Sequence, residues 1–441
     1  MSAYVKPGVY SKYVRTPGSV KVSAGARIVS VIGEGPTYFT EEDEAIVRNE
    51  YPYGSNPDAL AYTASTLISI GDYPGSSDYV QDTDYQIVGG EVDWIIGGDA
   101  PVAGATYYVT YRHDKTAADY NPQLFVKISD IENEYGKESI TNTLTMGAKI
   151  SSENGANYLI CTQVTASSEV AYTTAIDKLK LLTEGVSSTV IVPLNTDDAI
   201  HAYLKTHVQF MSSQFQKKER YGVIGMAIGA TQAAVKAKGV ALAYNRIILP
   251  WDEVKRQVTD PDTNVTSDVS LDGSFLACAI AGMMCKYPVQ EPLTRKTMVS
   301  FNATTKTDSL LETEKNELAA KGVTLLKNKG GIISIRHGMT TNVTTAEDNE
   351  ISVMLIRDNT IQIVRDAIDS LYIATVSSEA TESAIKTDIS AILSLLIEGG
   401  SITDFEDVVV SQNAADATRY DVTFGITPAY PINTIYITFT I

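Results

Sequence analysis

The sequence predicts a multidomain protein of mixed class: a central, mostly parallel α/β domain, a β-rich insertion ahead of it, a C-terminal α+β domain, and extended N- and C-terminal arms. Three observations carry this. Strand-like and helix-like segments alternate from Asn157 to Pro288, the rhythm of a parallel sheet covered by helices on both faces. Short alternating segments punctuated by Gly and Asp fill residues 37–112, as in a small all-β module. The last ten residues, INTIYITFTI, put Ile435, Ile437, Phe439 and Ile441 on one face and Thr434, Tyr436, Thr438 and Thr440 on the other, the two-residue period of a half-buried strand.

Residues 1–33 read as an N-terminal arm and strands that join the core. YVKPGVYSKYV holds a Pro-Gly turn, Pro7 and Pro17 keep the arm out of helix, SVKVS alternates, and ARIVSVIG is a continuous apolar strand buried on both faces. Residues 34–120 form the β-rich outer domain. Residues 121–340 form the α/β domain. In it NYLICTQV is a strand, AYTTAIDKLKLLTEG a helix closed by Gly185, and SSTVIVPL a strand. A helix from Thr196 to Glu219 follows, opened by NTDD, whose capping residue and two acids suit a helix start. Then come YGVIGMAI (strand), TQAAVKAKGVALAY (helix), RIILPW (strand) and SFLACAIAGMMCKYP, a helix ended at Pro288. GVTLLKNKGGIISIRHGM reads as a hairpin turning at NKGG. Residues 341–441 form the C-terminal α+β domain. Its helices are ISVMLIRDNTIQIVRDAIDSLYI and ATESAIKTDISAILSLLIEGG, and DFEDVVVSQN, TRYDVTFGI and the terminal strand make a three-stranded meander covered on one face. The edges of that sheet are unaccounted for, and a β-branched edge strand at a chain end invites pairing with another chain.

Composition narrows the function. A length of 441 residues implies roughly two to four domains. The formal net charge of −18 disfavours nucleic acid, whose binding is driven by Lys and Arg displacing counterions. Tyr outnumbers Phe by 25 to 9, and amphipathic rings suit half-wet surfaces and subunit interfaces. Cys161, Cys278 and Cys285 make no disulfide framework, which fits synthesis inside a cell. The opening MSAYVKPGVYSKYV lacks the basic and apolar regions of a signal peptide, and no run approaches eighteen apolar residues. Membrane insertion and export are therefore not expected, and the sequons at Asn264, Asn302 and Asn342 read as chance matches.

Catalytic chemistry has little to draw on. GVIGMAIGA, with Gly222, Gly225 and Gly229, lies between a strand and a helix, but its spacing is neither the dinucleotide fingerprint nor a P-loop. Small residues allowing close strand–helix packing are the simpler reading. VIGEGP, with Gly33 and Gly35, opens no helix. His201 and His207 stand six apart on one helix without a His-Glu-x-x-His pattern and read as solvated; His113 and His337 are isolated. Cys278 and Cys285, with Met284, form a core stripe. Asp197 and Asp198 read as a helix start, and Glu41 to Glu44 as a solvated run. No Gly-x-Ser-x-Gly elbow occurs. The sequence thus offers no catalytic, cofactor-binding or metal site, and no enzyme activity is expected.

The ends of the chain carry a resemblance. KPGVYSKYV, SVKVSAGARIVSVIGEGP, NKGGIISIRHGMTT and TPAYPINTIYITFTI together resemble tail sheath proteins of contractile-tailed bacteriophages and of related contractile bacteriocins. The resemblance implies a structural subunit of the virion tail, made and assembled in the bacterial host cytoplasm, that polymerises around an inner tube as stacked rings or a helix. Contraction would drive the tube through a bacterial envelope and accompany genome ejection. Its implied partners are other copies of itself, the tail tube protein, and baseplate and tail terminator proteins. It also implies strand exchange between neighbours through Tyr4, Val5, Val9, Tyr10 and Tyr13 at one end and Ile435, Tyr436, Ile437, Thr438, Phe439 and Ile441 at the other. One helix between Ile351 and Gly400 would face the tube, with Asp358, Arg365 and Asp369 as candidate contacts. Two other classes stay open on the residues alone: an α/β enzyme with a nucleotide- or substrate-binding middle domain, and a self-assembling surface or fibre protein.

Overall fold

The computed structural model describes residues 27–49, 57–182, 189–261, 263–376, 378 and 381–439. Its first element, β1 (Val29–Glu34), is buried on both faces, as its apolar run requires. The chain then leaves to build a β module. In it β2 (Tyr38–Val47) and β3 (Thr66–Gly71) flank a later strand, β6 (Thr106–Asp114), while β4 (Tyr85–Val88) pairs with β5 (Glu91–Trp94). Tyr107, Val109 and Tyr111 alternate inward along β6 and meet Ile46, Ile70 and Trp94. Buried Asp58 sits below them: its carboxylate accepts from Trp94 Nε1 at 2.9 Å, Tyr107 OH at 2.8 Å and Asn49 N at 2.8 Å. The acidic run from Glu41 to Glu44 is not a loose solvated stretch. It lies in β2 at a bulge, with Asp43 at φ 53° and Glu44 accepting from Ala61 N.

The chain returns through β7 (Gln123–Phe125), α1 (Ile128–Tyr135) and α2 (Thr143–Glu153) to a run of strands and helices. These are β8 (Leu159–Val164), α3 (Glu169–Lys178), β9 (Val190–Pro193), α4 (Asp198–Met211), β10 (Tyr221–Val223), α5 (Gln232–Ala241) and β11 (Ile247–Pro250). A side sheet, β12 (Val254–Thr259), β13 (Thr266–Leu271) and β14 (Ala303–Thr304), brackets the apolar helix α6 (Gly273–Lys286). Then follow α7 (Glu312–Ala319), β15 (Val323–Thr324), and the hairpin β16 (Leu326–Lys329) and β17 (Ile332–Ile335). The hairpin turns at Gly330 and Gly331, with φ 63° and 83°, the paired positive values that a two-residue turn of the right twist needs.

The main sheet has seven strands in the order β15-β11-β10-β9-β1-β8-β7, parallel throughout except for β7. Alternate residues face opposite layers. Val29, Val31, Cys161, Val190 and Val192 meet α2 and α6, while Ile32, Ile160 and Ile191 meet α3 and α4. The expected parallel sheet with both faces covered is therefore present, and the strand assigned to the N-terminal region lies inside it, between β9 and β8.

Several boundaries differ from the sequence reading. The helix expected to reach Glu219 stops at Met211, because Ser212 Oγ accepts from Arg220 N at 3.0 Å and the chain turns through Lys217 at φ 55°. The strand expected over YGVIGMAI is only Tyr221–Val223. Beyond it Gly225 lies against Gly273, where an added Cβ would stand 2.0 Å from the Gly273 carbonyl carbon. That close approach is the packing role read for these small residues. Gly185, expected to close a helix, lies outside the described residues.

The C-terminal domain begins with the short α8 (Ala346–Asn349) and two long helices, α9 (Ile351–Tyr372) and α10 (Thr381–Glu398). Four short strands follow: β18 (Ile402–Phe405), β19 (Val409–Gln412), β20 (Tyr420–Thr423) and β21 (Ile426–Pro428). The expected three-stranded meander is corrected here. β18 pairs with β21 and β19 with β20, both antiparallel, so the chain makes one interrupted two-stranded ribbon, and the described residues after β21 add no third strand.

Candidate assembly interface

The ribbon is shaped by what covers it. Ile385, Ile389, Ile392, Leu393 and Leu396 form one stripe of α10 at helical spacing, and with Ile356, Ile363 and Val364 of α9 they bury Ile402 and Val408. Phe405, Val410, Tyr420, Phe424 and Ile426 pack at the margin. Glu406 N donates to Gly425 O at 3.0 Å and carries the pairing across the break between the two ladders. Two strands alone are marginal in water, so the helices supply the stability. Among the described residues neither outer edge of the ribbon pairs with another strand. On the β18–β19 strand Phe405 N donates to Asp404 Oδ1 at 2.8 Å and Gln412 N to Glu382 Oε1 at 2.7 Å; an edge that no strand covers can accept a further one.

The tail leaves from the same domain. Ala429 N donates to Ser401 O at 3.1 Å, Tyr430 OH to Glu347 Oε1 at 3.3 Å, and Asn433 Nδ2 to Glu350 Oε1 at 2.5 Å. His337 Nε2 bonds the same Glu350 oxygen. These contacts fix where the tail departs. Past them Ile435, Tyr436, Ile437 and Phe439 are 75%, 93%, 87% and 82% exposed, so both faces of the expected half-buried strand stand in water. Thr438 is exposed as well. Ile441 lies outside the described residues, as do Tyr4, Val5, Val9, Tyr10 and Tyr13.

A polar joint holds α9 to the α/β domain. Arg246 grips Asp358 through Nη2–Oδ1 at 2.5 Å and Nε–Oδ2 at 2.9 Å, and Tyr221 OH donates to Asp358 Oδ2 at 2.6 Å. Burial alone would lower the Arg246 guanidinium, but the Asp358 carboxylate outweighs it and holds it above its ordinary value. Burial, and then Asp358, push the Tyr221 hydroxyl well up. Seven residues along the helix, Arg365 Nη2 meets Glu219 Oε1 at 2.6 Å, and Gln362 donates to the same carboxylate. Burial would raise Glu219, but Arg365 and Gln362 hold it below the usual range. The three residues expected to contact a tube lie in different surroundings. Asp358 is buried within the subunit and Arg365 is spent on Glu219, because that stripe of α9 faces the α/β domain; Asp369 is exposed.

The remaining sequence candidates are structural. His201 and His207, read as solvated, are both buried, on the face of α4 that also carries Ile200, Leu204, Val208 and Met211. His201 Nε2 bonds Asn195 O at 2.8 Å, so that nitrogen carries the proton; His207 Nε2 accepts from Arg220 Nη1 at 2.7 Å. Burial, helped by Lys238 for the first and Arg220 for the second, pulls both imidazoles down to about 3. Asp197 caps α4, accepting from Ala199 N at 2.7 Å. His113 stacks on Tyr62 with centroids 4.1 Å apart and lies 3.4 Å from Glu41. Cys278 is buried, and burial raises the Cys285 thiol to about 12. Among the described residues no cluster of His, Cys, Asp and Glu could hold a metal ion, and no described helix is long and apolar enough to cross a membrane.

The fold is that of contractile-sheath subunits. It matches the helical sheath of the anti-feeding prophage in its contracted state with a TM-score of 0.61 and 12% identity, over 99% of each chain. Residues 350–441 match the phage tail sheath C-terminal domain, and residues 36–133 match a domain of unknown function, DUF4815. The chain is 24% identical over 365 residues to the tail sheath protein of Mycobacterium phage Bxz1, covering 79% of this chain and 60% of that one. It is 22% identical over 390 residues to the tail sheath protein of Bacillus phage SP01, covering 87% and 61%. The chain thus spans about three-fifths of the length of these curated relatives. The similarity to contractile tail sheath proteins that the chain ends carry is shared by its C-terminal domain, its relatives and its fold.

Proposed function

We propose that this chain is a non-enzymatic structural subunit of a contractile tail sheath, polymerising around an inner tube by strand exchange between neighbours. One observation carries the reading: a single domain bears a two-edged ribbon and, 75–93% exposed beside it, a strand-forming tail. A donor and an acceptor on one surface that do not meet within the subunit make a heterologous contact, and such contacts generate rings or open helices. An added strand brings main-chain hydrogen bonds, each worth about 0.5–1.5 kcal/mol net, and its alternate side chains set register.

Contraction needs two packings of rigid subunits that differ in free energy, with neighbours kept joined while one converts to the other. FGITPAYPIN, which runs from the ribbon into the tail, suits a link of that kind because Pro and Gly punctuate it. The same reading makes the tail tube, baseplate and terminator proteins its partners, the virion tail its place and the host cytoplasm its site of assembly. On α9, Asp369 is the exposed candidate left for tube contact.

Removal of Asn433–Ile441 tests this. The truncated chain should keep the circular dichroism and melting curve of the full chain yet sediment as a monomer. Sheath-like polymer from that truncation would refute the tail's role.

A further inference from the structure

The β module carries an open cleft that polymerisation does not call on. It measures about 770 Å³, the size of a small-ligand site, and lies at the end of the β2–β6 pair. Phe39 and His113 stand opposite each other across that pair with ring centroids 5.4 Å apart, and Glu41 follows two residues along β2 on the same face. Tyr62 lies flat on His113, its plane within 7° of the imidazole, and half of it stays in water. Glu41, Asp114 and Asp119 supply the charge of the lining, and neither Lys nor Arg lines it among the described residues. Thr116 Oγ1 and N donate to Asp119 Oδ2 at 2.8 and 2.7 Å and hold its carboxyl below the ordinary carboxylate range. Lys115 is engaged elsewhere: its ammonium donates to Gln163 Oε1 and lies over the Phe39 and Tyr135 rings.

His113 makes the cleft more than a patch of acid. It is 9% exposed, and its Nε2 is buried without a hydrogen bond although Glu41 Oε1 is 3.4 Å away. Buried polar atoms are nearly always paired, so an unpaired one on the wall of a cleft calls for a partner from outside. With the ring proton on Nδ1, Nε2 is one acceptor beside another, with no donor between them.

We infer that this cleft binds an organic cation, an alkylammonium or guanidinium group on a short apolar stem, with His113 Nε2 and Glu41 receiving its N–H groups and Tyr62 carrying the stem. Such a group has donors and no acceptor, the complement of a wall that offers acceptors alone. Three carboxylates attract it, and the open part of an aromatic ring draws a cation further. The same carboxylates repel anions. A bare metal ion has no cluster of ligands to hold it among the described residues. A neutral sugar could lie on Tyr62 but would gain nothing from the charge. A free aliphatic diamine and the side chain of a lysine share this end group, and the cleft is complete within one subunit.

The test uses the full-length protein at pH 8 and four variants. E41Q/D119N removes charge and keeps shape, H113F keeps the ring stack and removes the acceptor, Y62A removes the platform, and D404N/D407N neutralises exposed acids of the C-terminal domain as a control. The ligands are 1,5-diaminopentane, lysine blocked at both backbone ends, 1,5-pentanediol and methyl glucoside. Calorimetry reads affinity, and the histidine ring-proton spectrum reads position. The diamine should fill one saturable site and shift the histidine resonance that H113F lacks. E41Q/D119N should weaken it about tenfold and flatten its dependence on salt between 50 and 500 mM NaCl. H113F should weaken it about fivefold and Y62A about threefold, with no change in the control. Blocked lysine binding as tightly as the diamine would name a protein side chain as a fitting source, and a tenfold preference for the diamine would name the free amine. Binding of pentanediol or methyl glucoside as tight as that of the diamine would overturn the proposal. So would the absence of a saturable site, or equal binding by E41Q/D119N and the natural chain, which would put the amine on the general surface of a chain of net charge −18. Melting curves matching the natural chain show that the variants fold; should H113F or Y62A melt early, the isosteric E41Q/D119N decides.

Discussion

Arg246 and Asp358 meet fork to fork across the joint between the α/β domain and the long helix α9, with Tyr221 donating to the same carboxylate. Removing one partner of a buried pair leaves the other charged and unpaired. Asp358→Ala should therefore cost about 3–5 kcal/mol of stability. Replacing both residues with apolar ones of similar size should cost much less. Guanidinium unfolding of the single and double variants checks this, and charge reversal at Asp358 should register as a folding defect before it registers as any loss of assembly.

The buried histidines set an acid limit. Both imidazoles are neutral in the fold, with values near 3 against 6.5 for an ordinary histidine. Between those values the unfolded chain binds more protons than the folded one, so stability rises with pH there. It is fully present above about pH 6.5 and lost on acidification, at about 1.4 kcal/mol per pH unit for each histidine. His207→Gln keeps an acceptor for Arg220 and removes the titration. The pH dependence of the unfolding midpoint between 4 and 6.5 should flatten in that variant.

Two of the three glycines of the GVIGMAIGA stretch, Gly225 and Gly229, should respond differently to alanine. At Gly225 a Cβ would stand 2.0 Å from Ser274 N, and backbone cannot move aside as a side chain can. Gly225→Ala should cost about 1–3 kcal/mol or more through overpacking. Gly229 has φ 82° with nothing within 4 Å of its added Cβ, so Gly229→Ala meets only the left-handed backbone penalty of about 1–2 kcal/mol. Thermal melts of the pair measure the difference.

The β module hangs on a clamp. Gln163 of β8 donates to Gly35 O at 2.9 Å and Pro36 O at 2.8 Å, and accepts from Lys115 Nζ at 2.7 Å, so one side chain holds both strands of the connection. The Lys115 ammonium also lies over the Phe39 and Tyr135 rings, and burial lowers it to about 8. Gln163→Leu strands two carbonyls and leaves the Lys115 ammonium only Glu134 O and the two rings, at a cost of about 1–3 kcal/mol. Trypsin should then cut after Lys115 faster, while the module's own melting transition stays in place.

What the sequence revealed depended on the range of the interaction. Local periodicity disclosed the strands around ARIVSVIG, NYLICTQV and RIILPW, the NKGG hairpin and the helices α9 and α10, because each is written in neighbouring residues. The pairing of β12 with β13 carries a comparable signal in VKRQVT and VTSDVSL on either side of DPDTN, and the sequence reading passes over it. His201 and His207 were placed on the wrong face although the spacing to Ile200, Leu204 and Val208 puts them on the apolar side. The ion pair of Arg246 and Asp358 spans 112 residues, and no local pattern announces it. The third strand of the meander failed for another reason: its alternation is real, but no described strand of the subunit pairs with it.

β1 has a consequence for timing. It is the first described strand, yet its neighbours are β8 and β9, more than a hundred residues downstream. While the ribosome is still making the β module, β1 has neither of its sheet partners. Only when residues near 190 have emerged can the sheet close around Val29–Glu34. The first described strand to be made must therefore wait for two later ones before both its edges are paired.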